Sequence, residues 1–110
     1  MKFVTEKMGD ENLSEIFSFI GANHPNKNAR VRSDVDGWMP FFKAWSGQDP
    51  FHKIKVFTMR EESDLEIKGC VVVLATQNPL FVEDPMITRL TEINCNDQFN
   101  EYINTVLQGL

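Results

Sequence analysis

An unbroken run of apolar residues in the second half of the chain is the strongest structural signal in the sequence. The run extends from Cys70 to Ala75, is rich in β-branched residues and ends at the polar segment Thr76-Gln77-Asn78. A strand with one solvated face alternates apolar and polar positions, whereas a strand covered on both faces need not. The run therefore predicts an interior strand, parallel to a neighbour and flanked by helices on both sides. Its polar end is either an ordinary turn or, as in open α/β sheets, the edge of a functional cleft.

Apolar residues spaced as on one face of a helix predict helices over 12–20, 38–45 and 97–108. Asn12 begins the first of these as a capping residue, and Asn96 or Asp97 begins the last. The stripe of the second helix consists of four aromatic residues, which favours a place in the core over a platform for stacking bases. These residues are Trp38, Phe41, Phe42 and Trp45.

Alternating residues from His52 to Met59, a polar turn over 60–64 and a return to apolar residues predict a β-hairpin. Its first arm carries Lys53 and Lys55, which either contact an anionic ligand or protect a sheet edge from aggregation. Short strands are also expected at 2–8, 29–36 and 91–93. The segment Asp84-Pro85 favours the start of a short helix over 86–90.

These elements predict an α/β fold: a small, mainly parallel sheet with a β-hairpin and about three packed helices, in a single domain over residues 1–110. Hydrophobic residues make up 42% of the chain and charged residues 25%, as in ordinary soluble proteins. No apolar run approaches the ~20 residues of a membrane span, and the first residues do not resemble a signal peptide. Cys70 and Cys95 lack metal-site spacing, so we expect reduced thiols and a cytoplasmic protein.

Charge is unevenly distributed along the chain. The segment 27–60 contains seven basic and three acidic residues, a net charge of +4, whereas the remainder carries −9. The total of −5 argues against nucleic-acid binding over the whole surface. The middle segment therefore either forms one basic face or contributes to a surface of mixed charge.

Familiar catalytic motifs are missing from the sequence. None of the six glycines is followed by lysine, so there is no Gly-x-x-x-x-Gly-Lys phosphate loop. The sequence also lacks paired-cysteine zinc spacing, His-Glu-x-x-His and a Gly-x-Ser-x-Gly elbow. We therefore expect no complete active site in this chain.

One ordered series of motifs does suggest a function. A Lys43-Ala44-Trp45-Ser46-Gly47-Gln48-Asp49-Pro50 segment precedes the lysine-bearing hairpin, and the apolar strand then ends at Asn78 before Thr88-Arg89-Leu90. This order resembles the second half of the motor domain in superfamily 3 helicases, the AAA+ type of viral, phage and plasmid primase-helicases. The resemblance covers roughly residues 30–93 and implies a partial AAA+-like fold and a role in DNA replication.

The resemblance implies roles for individual residues. Asn78 would sense the γ-phosphate, and Arg89 would act on the nucleotide of a neighbouring subunit. Asp34 and Asp36 fall where the family places its metal-binding acidic pair, although capping of a helix is the simpler role for Asp36. The residues expected to contact nucleic acid are Lys43, Lys53, Lys55 and Arg60.

The sequence departs from that family in lacking the phosphate loop and in having Gln48 where glycine is usual. The resemblance therefore implies a fragment, a degenerate remnant or one part of a larger assembly, in which ATP and Mg²⁺ bind only if another chain completes the site.

The first hypothesis is a helicase-like half-domain that makes nucleic-acid and inter-subunit contacts without hydrolysing ATP. The alternative is a small acidic inhibitor or immunity protein, of phage or bacterial origin, that binds a protein partner. Expected partners are thus single-stranded DNA or a protein, with a homo-oligomer as one option and no membrane.

Overall fold

The structure, a computed structural model, describes residues 1–7, 9–23, 43–49, 51–76 and 86–108. No helix in these ranges is both long enough and apolar enough to cross a membrane. The elements in chain order are β1 (Lys2–Glu6), α1 (Asp10–Asn23), β2 (His52–Arg60), β3 (Ile67–Thr76), β4 (Met86–Ile93) and α2 (Asp97–Leu107).

The four strands form one sheet in the order β1-β2-β3-β4, and every neighbouring pair is antiparallel. The expectation of a mainly parallel sheet is therefore wrong. Parallel neighbours need a crossover of about a dozen residues or more, and the connections of β3 are shorter than that. The turn between β2 and β3 is short, and the Glu61 amide donates a hydrogen bond across it to the Glu66 carbonyl at 2.9 Å.

The interior position predicted for the apolar run is confirmed, because β3 lies between β2 and β4. Cys70 and Val72 pack on the side of α1, while Val71 and Val73 pack on the side of α2. Cover on both faces removes the need for alternating polar residues whatever the direction of the neighbouring strands. The apolar run therefore correctly predicts a buried strand but does not indicate the direction of the neighbouring strands.

The helix predictions are largely confirmed. α1 contains the predicted 12–20 and is longer at both ends, and α2 matches the predicted 97–108 to within a residue. Asn96 caps α2 by accepting a hydrogen bond from the Phe99 amide at 2.8 Å. Of the predicted 38–45, only the helical end at 43–45 falls in the described residues. It stops at Gly47, whose φ of 83° suits glycine, and the Gln48 amide reaches back to the Lys43 carbonyl at 2.9 Å.

The short helix predicted over 86–90 is wrong, because this segment is the first part of β4. Ile87, Thr88 and Thr91 are β-branched and favour a strand, and β3 supplies a partner for every residue of β4 except Leu90, where the register shifts. The residues expected to start that helix, Asp84 and Pro85, lie outside the described ranges, as does the predicted strand 29–36.

A buried polar network joins β1, β2 and α1 on the α1 side of the sheet. Glu6 and Arg60 are at its centre, with side chains only 8% and 11% exposed. Glu6 Oε1 accepts from Arg60 Nε and from Thr58 Oγ1, both at 2.7 Å. Its second oxygen accepts from Asn12 Nδ2 at 3.1 Å. Arg60 Nη1 also donates to Glu15 Oε1 at 2.8 Å and to the Leu65 carbonyl at 2.7 Å, which secures the β2–β3 turn.

These contacts determine how Glu6 titrates. Burial alone would raise the pKa of its carboxyl, but hydrogen bonds from Thr58, Arg60 and Asn12 together outweigh burial and hold the pKa below its ordinary value. Glu6 is therefore charged near neutral pH, and its hydrogen bond from Arg60 Nε is charge-assisted.

Replacing Arg60 with methionine leaves the Glu6 carboxylate buried without its cation. We expect the free energy of unfolding in urea to fall by about 3 kcal/mol, because a buried charge that has lost its partner is costly. Lys68→Met is the control, since Lys68 forms an exposed ion pair with Glu66 and its loss should cost less than about 1 kcal/mol. Equal losses in the two variants would contradict a structural role for the network.

The lowered pKa of Glu6 predicts acid sensitivity. A group whose pKa is lower in the folded state stabilises that state above its unfolded pKa, near 4.3 for Glu, and loses this contribution as pH falls through the folded value. Unfolding free energy measured from pH 6 downward should decline more steeply in the natural chain than in Glu6→Gln. Parallel declines in the two proteins would show that Glu6 does not cause the acid sensitivity.

Candidate binding site

The sheet has an uncovered corner where β2 is longer than its neighbour β1. β1 pairs only with residues 56–60 of β2, so the part of β2 from His52 to Lys55 has no strand on that side among the described residues. A cavity of about 340 Å³ there opens to solvent. We call it the β2 cleft; it is lined by Thr5, Glu6, Lys7, Trp45, Ile54 and Lys55.

Two local structures position the cleft wall. The helical end at 43–45 stops at Gly47, and Trp45 packs against the apolar cluster that includes Ile54. Asp49 then stabilises the turn that leads into β2: its Oδ1 accepts hydrogen bonds from the Phe51 and His52 amides at 2.8 and 3.1 Å. The bond from the Phe51 amide, followed by bonds from His52, lowers the pKa of Asp49. The carboxylate is thus engaged with its own turn.

Positive charge collects at this corner. Lys53 lies opposite Ala75 and Lys55 opposite Val73, so both lysines are on the α2 side of the sheet. The ammonium groups of Lys7, Lys53 and Lys55 make no hydrogen bond or ion pair within the described ranges. The carboxylate that lines the cleft, Glu6, is already bound by Arg60 and Thr58 and does not neutralise them.

An aromatic residue accompanies the lysines on each side of the turn that starts β2. Trp45 lines the cleft, and Phe51 immediately precedes β2 with 46% of its surface exposed. Lys43 is exposed two residues before Trp45. Cations interleaved with accessible aromatic surface are suited to ligands that combine phosphate with a flat ring.

The opposite end of β2 carries negative charge. The β2–β3 turn places four acidic residues within six positions: Glu61, Glu62, Asp64 and Glu66. Their few partners here are exposed, the amino terminus of Met1 at 3.4 Å from Glu62 and Lys68 Nζ at 3.2 Å from Glu66. Charge is therefore separated along the length of β2, with lysines at its start and carboxylates after its end.

The residues expected to contact nucleic acid do not all lie together. Lys53 and Lys55 share one face, and Lys43 precedes the cleft residue Trp45. Arg60 is at the far end of β2, where Glu6, Glu15 and the Leu65 carbonyl occupy its guanidinium. The structure thus separates Arg60 from the lysines with which the sequence grouped it.

Of the residues assigned to nucleotide sensing, Arg89 is in the described part of the chain. It lies on β4, where Nη1 donates to Glu92 Oε1 at 2.7 Å and Nη2 donates to Asn104 Oδ1 at 3.0 Å. Its guanidinium is therefore engaged within the chain. Asn78, Asp34 and Asp36 lie outside the described residues.

The remaining reactive side chains form no further site among the residues that the structure describes. Burial, with a smaller effect of Glu6, raises the pKa of the Cys70 thiol to about 12, so it is protonated at neutral pH. Burial also raises the pKa of Cys95. Within the described ranges, no three His, Cys, Asp or Glu side chains are grouped so that they could hold a metal ion.

Sequence reasoning missed the cleft itself. The aromatic stripe placed Trp45 in the core, and it does pack there, but it also forms part of the cleft wall. The pattern at Thr5, Glu6 and Lys7 indicated only the end of a short strand. The sequence carries no clear signal for it, because the predicted strand 2–8 and the predicted hairpin arm 52–59 have nearly equal lengths, whereas the observed β1 has 5 residues and β2 has 9.

Comparison of the chain with protein-family models, with curated proteins and with solved structures gave no match.

Proposed function

We propose that this chain is a non-catalytic binding module that contacts single-stranded nucleic acid at the β2 cleft. The observation that carries this proposal is the combination, at one corner of the sheet, of the aromatic side chains of Trp45 and Phe51 with lysines that have no ion-pair partner within the described ranges. Lys53 and Lys55 would contact phosphates, while the aromatic rings would offer surfaces on which bases stack.

This mode of binding reads charge and shape rather than sequence. Lysine contacts to phosphates carry no base information, and stacking tolerates every base. Affinity should therefore depend strongly on salt and weakly on the order of bases. The net charge of −5 limits affinity, because the acidic end of β2 repels the same ligand.

The proposal keeps one part of the helicase-like hypothesis. The parallel AAA+-like sheet is not retained, since the sheet is antiparallel. Nucleic-acid contact by Lys43, Lys53 and Lys55 is retained, and Arg60 is left out because the buried network holds it. Nucleotide sensing by Asn78, Asp34 and Asp36, a role in phage or plasmid replication, and ATP with Mg²⁺ held jointly with another chain stay predictions.

Action of Arg89 on the nucleotide of a neighbouring subunit would need the side chain to leave its partners Glu92 and Asn104. The module would work in the cytoplasm, where both thiols stay reduced. Neither cysteine is in a disulfide, which is compatible with that compartment.

A second candidate function is binding to a protein partner with a basic surface. The acidic β2–β3 turn favours it, because Glu61, Glu62 and Asp64 have no lysine or arginine partner within the described ranges. An acidic inhibitor or immunity protein would use such a turn, and nucleic acid would then play no part.

Reversing the charges of Lys55, which lines the β2 cleft, and of the nearby Lys53 separates the two candidates. We expect Lys53→Glu/Lys55→Glu to weaken binding of fluorescent oligo-dT at low salt by tenfold or more. The slope of log affinity against log salt should shrink by about 1.4, because each phosphate that a lysine no longer neutralises lowers it by about 0.7. Fluorescence anisotropy across a salt series measures both effects.

The matched control is Lys2→Glu/Lys68→Glu, which makes the same change in net charge at the acidic end of the sheet. Equal weakening by both double variants would point to net charge alone and would contradict a binding site at the cleft. Absence of oligo-dT binding at low salt would overturn the proposal. Capture of a basic protein that is lost on neutralising Glu61, Glu62 and Asp64 would then support the second candidate.

A further inference from the structure

β4 presents an apolar sheet edge to solvent. It pairs with β3 on one side and has no strand on the other among the described residues. Met86, Ile87 and Leu90 are exposed to 66%, 40% and 48%, so half of the large exposed hydrophobic side chains in the described ranges lie on this one strand. Open edges usually carry lysine or proline, and β4 contains neither.

The charged residues of β4 are arranged in a way that suits a copy of the same strand. Arg89 lies opposite Val73 of β3 and Glu92 lies opposite Val71, so both side chains are on the α2 side of the sheet. The register shift near Leu90 brings these two residues, three apart in sequence, onto one face. They are already paired within the chain at 2.7 Å.

We propose that two copies of this chain associate through β4, with the strands antiparallel about a two-fold axis between Leu90 and Thr91. In this register Arg89 of each copy lies directly opposite Glu92 of the other. By symmetry the interface contains two such pairs, and opposite charges facing each other across strands are favourable. The four side chains form an alternating cluster, so neither charge is covered without a partner.

Other two-fold registers lack this complementarity. With the axis through Arg89, the two copies of Arg89 face each other. With the axis through Glu92, the two copies of Glu92 face each other. Both arrangements place like charges opposite each other, which is unfavourable. An axis between Arg89 and Leu90 faces arginine with leucine. The register centred between Leu90 and Thr91 thus pairs both charges while it covers the exposed leucine at the middle of the strand.

The sheet of the pair would have eight strands, with the β2 cleft of each copy two strands away from the shared edge. The inference rests on β4 alone. The proposed dimer does not depend on nucleic-acid binding, which uses β2 and the residues around Trp45.

Charge reversal at the two positions tests the pairing and its register. Sedimentation velocity over a wide range of concentration should show a reversible dimer for the natural chain. Arg89→Glu sets two carboxylates opposite each other in each pair, and Glu92→Arg sets two guanidinium groups opposite each other. We expect each single variant, with its fold checked by circular dichroism, to dimerise at least tenfold more weakly.

An equimolar mixture of the two single variants is the decisive sample. In the mixed dimer, the new carboxylate at position 89 of one variant faces the new guanidinium at position 92 of the other. The unchanged Glu92 of the first variant likewise faces the unchanged Arg89 of the second. Dimerisation should therefore return in the mixture, although each chain still carries like charges within itself. Repair of the individual fold cannot produce that result.

Three outcomes would overturn the proposal: a monomeric natural chain at every concentration, a dimer that persists in both single variants, or a mixture that stays monomeric. A monomer that captures a different protein through β4 falls under the first of these.

Discussion

The buried ion pair between Glu6 and Arg60 is the interaction on which the arrangement of this sheet depends. It joins the edge strand β1 to β2, and through Asn12, Glu15 and the Leu65 carbonyl it also holds α1 and the β2–β3 turn. A slip of one residue between β1 and β2 would turn Glu6 to the opposite face, where Phe57 and Phe99 form an apolar cluster. A carboxylate there would be charged, buried and unpaired, so the network specifies the register of β1.

That register has a consequence for the binding site. With Glu6 opposite Val56, β1 ends there, and no strand among the described residues covers the first residues of β2 on that side, where the β2 cleft lies. The same ion pair buries the Arg60 guanidinium, so this cation adds little positive charge to the surface at the acidic end of β2. The lysines at the start of β2 are therefore its accessible cations.

Hydrophobic patterning predicted most of the elements but not how they pair. The stripes of α1 and α2, the hairpin and the interior position of β3 are all readable, because burial of one helix face leaves a periodic stripe and burial of both faces of a strand leaves an unbroken apolar run. The direction of the strands leaves no such trace, since Cys70 to Ala75 would be equally apolar in a parallel or an antiparallel sheet. The length of the connections is the better guide, but the helix expected over 86–90 made the connection after Thr76 look long enough for a parallel crossover, whereas β4 in fact starts at Met86.

The errors at β4 and at the binding site have a related cause. Asp84 and Pro85 have local preferences suited to a helix start, but the edge of β3 pairs with seven of the eight residues of Met86–Ile93, and tertiary pairing prevails over local preference. The alternation of residues in β2 identifies the lysines. It does not reveal the β2 cleft, because the cleft is formed by strands of unequal length together with Trp45, which is distant in sequence from β1.

A double-mutant cycle on Glu6 and Arg60 tests the central claim most directly. Unfolding free energies would be measured for Glu6→Gln, Arg60→Met and the double variant. If the two side chains act as one buried unit, the double variant should be little less stable than the worse single variant, with a coupling energy of about 2 kcal/mol or more. Losses that add to within about 0.5 kcal/mol would mean that the two residues act independently and that the ion pair does not position β1.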